Sequence, residues 1–169
     1  MSAFGWPFAQ CQSMTLASQL AAGIRMLDIR LSVVNSVLIA YHGWISQRVS
    51  FQEILATLYA FLTTPASLLE TIVMSIKQED YETVSPLLFS RLLRAEISKA
   101  PGGTGMWFLE NRIPKLGEAR GKIVMLSRFD GEGPEWENGS GIHPELWPDS
   151  RRDGFLWWCK DTRVKTHDW

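Results

Sequence analysis

Apolar positions along the chain follow two periods. Ile24, Met26, Ile29 and Leu31 are apolar with polar residues between and beside them, so Ile24 to Val34 reads as a strand. Asn35-Ser36 is a turn signal, and Val37 to Tyr41 reads as a second short strand ending at His42-Gly43. The period then changes. Phe51, Ile54, Leu55, Leu58, Phe61 and Leu62 follow the i, i+3, i+4, i+7 spacing of one buried helical face. Ser50 caps that helix, with Glu53 three residues on as a capping box, and Pro65 lies just beyond its end. Upstream, Ser13 or Thr15 caps a short helix through Ala22, with Gly23 as its stop.

Thr71 to Lys77 is an almost continuous β-favouring run, which suits a strand covered on both faces. Val84 to Ser98 is a further helix, ended by Pro101-Gly102-Gly103, and Met106 to Leu109 is a short strand. Lys122 to Arg128 repeats the buried-strand pattern after Gly121. From Phe129 to Asp153 the sequence is rich in turn residues, and Val164 begins a last strand. Strands alternating with helices predict an α/β fold with a parallel sheet and right-handed crossovers. Polar residues gather at the downstream ends of these strands: Asp28 and Arg30, His42, Lys77 and Glu79, and Arg128. In a β/α barrel that end carries the active site.

Composition narrows the class. The chain has 169 residues, 17 Lys+Arg, 18 Asp+Glu and a formal net charge of -1. This excludes a disordered tail and a strongly basic protein held on nucleic acid by charge. No apolar run approaches the roughly 20 residues of a membrane span. No positive charge precedes Arg25, and Gly5 and Pro7 break the only early apolar stretch, so no secretory signal is read. The chain thus reads as cytosolic or peripheral, and as secreted if a leader precedes residue 1. Cys11 and Cys159 are either free thiols or one disulfide; alone they cannot make a four-ligand zinc site. The 8 Trp serve either core and loop packing or contact with a lipid interface, since indole joins an apolar body to one polar tip.

Asp28-Ile29-Arg30 places two charged side chains on one strand face. Arg offers a planar fork suited to phosphate oxygens, yet the pair alone serves equally as a structural salt bridge. His42 sits where a strand ends beside a glycine, and imidazole can donate a proton near neutrality. A lone His is more often a hydrogen-bonded, non-catalytic one. Lys77 and Glu79 share a face that suits polyol hydroxyls, or a solvated strand end. His143 and His167 lie in loop-like contexts and carry no assigned role.

The segment Gly23-Ile24-Arg25-Met26-Leu27-Asp28-Ile29-Arg30, followed by Tyr41-His42-Gly43, resembles the X region of phosphatidylinositol-specific phospholipase C. The resemblance continues through Phe61-Leu62, Ile72-Val73-Met74-Ser75-Ile76-Lys77-Gln78-Glu79, Arg120-Gly121-Lys122-Ile123-Val124, and Gly141-Ile142 to Trp147-Pro148-Asp149. Each motif is weak alone; the ordered set is specific. It implies a TIM-type (β/α) barrel that cleaves the phosphodiester of phosphatidylinositol at a membrane surface, giving diacylglycerol and an inositol phosphate. In such enzymes one His deprotonates the inositol 2-hydroxyl, which attacks phosphorus, and a second protonates the departing oxygen. His42 matches the second. Arg30 matches the Arg that neutralises phosphate charge, and Asp28 the acidic residue beside it. Lys77 and Arg128 match inositol-contacting positions, and Asp168 a further one. Arg30 stands where calcium acts in the metal-dependent branch, so the resemblance is to the metal-independent, bacterial-type branch, with no metal or other cofactor.

The family's first catalytic His belongs to a Gly-Thr-His-Asp type motif, and no His precedes His42. A whole barrel of this type takes ~250 residues. Residues 1–169 are therefore expected to be a single partial X-type domain, an incomplete barrel without its first and last strands. Without the general base, a rate loss on the order of 10²–10⁴ is expected. Two other readings stay open: a non-catalytic relative that binds inositol phosphates or a membrane surface, and an α/β fragment without ligand.

Overall fold

The computed structural model describes residues 12–132, 134–145, 147 and 153–167. Thr15 rather than Ser13 caps the first helix, α1 (Leu16–Ala21), its side chain accepting a hydrogen bond from the Ser18 N–H. Strand β1 (Met26–Val34) and strand β2 (Val37–His42) form an antiparallel hairpin. Their two-residue turn, Asn35-Ser36, has φ of 50° and 63°. Positive φ at both central positions matches the right-handed twist of the flanking strands.

A third strand, β3 (Ile45–Ser50), forms where the sequence pattern predicts no element. Ile-Ser-Gln-Arg-Val-Ser lacks an apolar run, and only pairing with β2 makes it a strand. Ser50 then caps helix α2 (Phe51–Leu62) through a complete capping box with Glu53. Replacing Ser50 with Ala is expected to cost about 1 kcal/mol, seen as a lower urea midpoint at unchanged slope. Strand β4 (Ile72–Gln78) and helix α3 (Pro86–Lys99) follow, the helix capped by Ser85 with Pro86 in its first turn. Next come strand β5 (Trp107–Phe108), helix α4 (Leu116–Ala119) and strand β6 (Ile123–Arg128). The turn-rich stretch holds helix α5 (Pro134–Gly139). The expected last strand is one arm of a separate hairpin, β7 (Phe155–Cys159) with β8 (Thr162–Thr166).

The main sheet has the order β3-β2-β1-β4-β6-β5. Its β1, β4, β6 and β5 part is parallel, as predicted, while β2 and β3 add antiparallel to one edge. Among the described residues the sheet stays open. One face packs Leu27, Leu31, Met74, Ile76, Ile123 and Met125 against the apolar faces of α2 and α3. Each fully buried side chain of this kind contributes about 1.5–3 kcal/mol. The other face begins apolar, with Val73, Val124 and Leu126 packed against Phe108, Ile142 and Cys159 and the β7–β8 residues Trp157 and Val164. Further along the same face the side chains become charged.

At the turn before β6, Arg112 bonds Glu110 and Glu118 and lies over the Phe108 ring. Hydrogen bonds from Arg112 and then from the Lys115 N–H hold the Glu118 carboxyl down to about 2. Its folded value lies below its unfolded one, so this contribution is present above the ordinary carboxylate range and is lost as pH falls toward 2. Glu118→Gln is expected to flatten this acid limb in unfolding measured from pH 5 to pH 2.

Candidate active site

The parallel ladders set the charged residues in rows. Asp28 pairs with Ser75 and Arg30 with Lys77 across β1 and β4; Lys77 pairs with Arg128 across β4 and β6. Partners in a parallel ladder point to the same side, and every second residue returns to it. Arg30, Lys77 and Arg128 therefore form one cationic row near the downstream ends of β4 and β6, on the face away from α2 and α3. Asp28 and Ser75 form the next row inward.

Ion pairs lock this row. Arg30 Nε donates to Asp28 Oδ2 at 2.9 Å and Nη1 to Glu79 Oε1 at 3.2 Å. Ser75 Oγ donates to Asp28 Oδ1 at 3.0 Å, and Arg128 Nη1 reaches the same oxygen at 3.4 Å. Asp28 thus takes hydrogen bonds from three adjacent strands. The Glu79 side chain is only 9% exposed, so its bond fixes the guanidinium from the buried side. Partial burial by itself disfavours the Arg30 cation, but the bonds and charges of Asp28 and Glu79 outweigh it and hold Arg30 above the ordinary arginine value. Arg30 stays charged at every working pH. Its Nη2 makes no hydrogen bond to a described residue. The Arg128 guanidinium lies 5.1 Å from the Trp147 ring centroid.

Three cations against two carboxylates leave one formal positive charge, matched to a phosphodiester monoanion. The planar, bonded guanidinium can meet phosphate oxygens without first being ordered. Ser75 joins the site without having been read from the sequence. Its signal was its place two residues before Lys77, on the same strand face.

His42 is placed differently from the sequence reading. Because β2 is antiparallel, its downstream end folds back beside the middle of β1 rather than joining the ends of parallel strands. The β1–β2 ladder runs from Val34–Val37 to Leu31–Ala40 and ends there. His42 lies two residues further, exposed, and pairs with Ile45 of β3. Continued, the β1–β2 register sets Tyr41 level with Arg30 and His42 level with Ile29. Strict alternation counted from Ala40 sets His42 in phase with Leu31 and out of phase with Arg30. The ladders therefore assemble Asp28, Arg30, Lys77 and Arg128, and leave His42 on the adjacent arm. Two residues beyond it, Trp44 is 89% exposed.

Asp168 lies outside the described residues, as does Cys11. Cys159 is buried, and burial raises its thiol above the usual range. His143 is buried in a polar knot. Its ring stacks on Trp136 at 4.0 Å, its N–H donates to Asn111 Oδ1, and its ring nitrogens lie near the Pro144 and Trp136 carbonyls. This is a packing role, consistent with none having been assigned.

A family model described as phosphatidylinositol-specific phospholipase C, X domain, matches residues 6–129. The chain belongs to this family. It is similar to a 1-phosphatidylinositol phosphodiesterase of Listeria monocytogenes, 36% identical over 134 residues, covering 72% of this chain and 37% of that protein. A Staphylococcus aureus protein of the same name is 26% identical over 147 residues, covering 85% of this chain and 46% of its own length. The chain thus spans less than half the length of these curated relatives. A solved S. aureus phosphatidylinositol-specific phospholipase C, studied for its membrane binding, superposes with a TM-score of 0.73 at 24% identity, over 95% of this chain and 53% of that one. The Listeria enzyme's structure superposes with a TM-score of 0.57 at 34% identity, over 69% of this chain and 40% of that one. The fold of this X domain is therefore that of the phospholipase barrels, open among the described residues.

Proposed function

We propose that residues 1–169 form a single partial X-type domain that engages the phosphoinositol headgroup of phosphatidylinositol for phosphodiester cleavage. The observation that carries this reading is the row of Arg30, Lys77 and Arg128 across three parallel strands, held by Asp28 and Glu79. In this reading Arg30 stabilises charge growing on the phosphate oxygens. Lys77 and Arg128 donate hydrogen bonds to inositol hydroxyls. Asp28 keeps both guanidinium groups in place, and His42 protonates the departing diacylglycerol oxygen. Asp168 is assigned to the headgroup by resemblance alone. The exposed indole of Trp44 faces the lipid surface, where an apolar ring with a polar tip is at home.

One observation favours a second reading. The parallel ladders that assemble Asp28, Arg30, Lys77 and Arg128 do not include His42, which stands on the antiparallel arm. A non-catalytic headgroup-binding relative follows from that geometry. Calorimetric titration with inositol 1-phosphate, together with a cleavage assay on phosphatidylinositol vesicles, tests both readings. Binding with turnover supports the first, and binding without turnover the second. Absence of both overturns the proposed site.

A further inference from the structure

The β1–β2 hairpin extends past the sheet that carries it. In a two-residue hairpin the Val34–Val37 pair that flanks the turn exchanges its own hydrogen bonds, so at the next pair, Val33–Leu38, both N–H groups point outward. Each outward side has lost its neighbour. The β1–β4 ladder ends at Leu31–Gln78, and β3 gives way to α2 at Phe51, one step past the Ile39–Ser50 pair. A backbone N–H removed from water and from a ladder needs another acceptor.

Two carboxylates supply it. Val33 N–H donates to Asp80 Oδ2 at 2.6 Å, and Leu38 N–H to Glu96 Oε1 at 2.8 Å. Each acid is steadied by a glutamine amide: Gln78 Nε2 donates to Asp80 Oδ1 at 3.2 Å and Gln52 Nε2 to Glu96 Oε2 at 3.4 Å. Glu96 is itself buried in the α3 face. One rung of the hairpin is thus gripped from both sides, by the loop after β4 and by α3. That rung lies between Arg30, three residues earlier, and His42, four residues later.

Resting on the headgroup reading above, we propose that Asp80 and Glu96 are positioning residues that set the arm carrying His42 against the Arg30 row. Neither touches the row. Both act on the backbone that links Arg30 to His42, and they hold its tilt where the ladders no longer can. If either grip is released, the arm pivots about β1 and the imidazole moves while the three cations stay in register.

The test uses isotope-labelled 169-residue protein with Asp80→Ala, Asp80→Asn and Glu96→Ala, followed by amide and imidazole NMR with inorganic phosphate as the probe. Exchange at the Val33 amide is expected to rise on the order of tenfold in Asp80→Ala, the size expected for one lost buried hydrogen bond. The His42 ring resonances are expected to move in Asp80→Ala and in Glu96→Ala, and Asp80→Asn, which keeps an acceptor oxygen, is expected to return them toward the original positions. Phosphate is expected to shift the Arg30 side-chain signal in every variant, and the His42 ring only where the grip is intact. Faster exchange at Val33 with an unmoved His42 ring overturns the positioning role and leaves a purely structural one. Should Asp80→Ala not fold, Glu96→Ala carries the same comparison. If phosphate shifts nothing in the unaltered protein, the headgroup reading fails, while the ligand-free His42 ring still decides the positioning role.

Discussion

Substituting His42 by Ala is expected to lower phosphatidylinositol cleavage by about 10²–10⁴-fold while changing inositol 1-phosphate affinity only a few fold. The leaving group in this reaction is an alkoxide, which departs badly from phosphorus unless a proton reaches it. Imidazole is the one side chain on the arm beside the row that can hold such a proton near neutrality. The loss therefore falls on kcat rather than on binding. A leaving group that needs no protonation, such as a p-nitrophenyl inositol phosphate, is expected to suffer much less. An unchanged rate on phosphatidylinositol would remove His42 from the acid role and leave the binding reading in place.

Arg30→Ala is expected to cost about 10²–10³ in turnover and to abolish measurable inositol 1-phosphate binding in calorimetry. Two effects combine. The fork facing the phosphate is lost, and Asp28 and Glu79 lose the cation that both engage, leaving Glu79 buried and unpaired. Arg30→Lys is expected to recover little, because one ammonium cannot bond Asp28, Glu79 and a phosphate in a single plane. Removing the carboxylate instead, in Asp28→Asn, tests the same network from the other side. It keeps the shape and one acceptor oxygen but loses either the Arg30 bond or the Ser75 and Arg128 bonds, so a loss smaller than that of Arg30→Ala is expected.

The strands and long helices were legible because their signals are local. Phe51 to Leu62 announces itself by helical spacing plus a capping box, and Ile72 to Lys77 by an almost continuous β-favouring run. β3 was not legible. Its residues carry no apolar pattern, and its pairing depends on a shift in register in which Gln47, Arg48 and Val49 lie between its bonded positions, with Arg48 at a φ of 54°. The hairpin at Phe155–Thr166 was half seen, since its aromatic strand follows directly on a glycine-rich stretch. For the site, the row of Arg30, Lys77 and Arg128 came through the family resemblance, and the ladders supply its physical reason. The direction of β2 was missed because a strand's polarity relative to its neighbour is set by the tight Asn35-Ser36 turn. Reading that turn as a hairpin, rather than as a mere break, places His42 beside β1.

The cationic row also bears on how the chain folds. The hairpin closes on itself across two residues, whereas Arg128 meets Asp28 across a sequence separation of 100. Contacts that distant form slowly, because loop-closure entropy is spent before they add stability. Bringing three like charges onto adjacent strands adds repulsion to that late step, relieved only when the carboxylates dock. The row is thus among the last parts of the molecule to condense, and a multivalent anion in the refolding buffer should speed that final docking while leaving formation of the hairpin untouched.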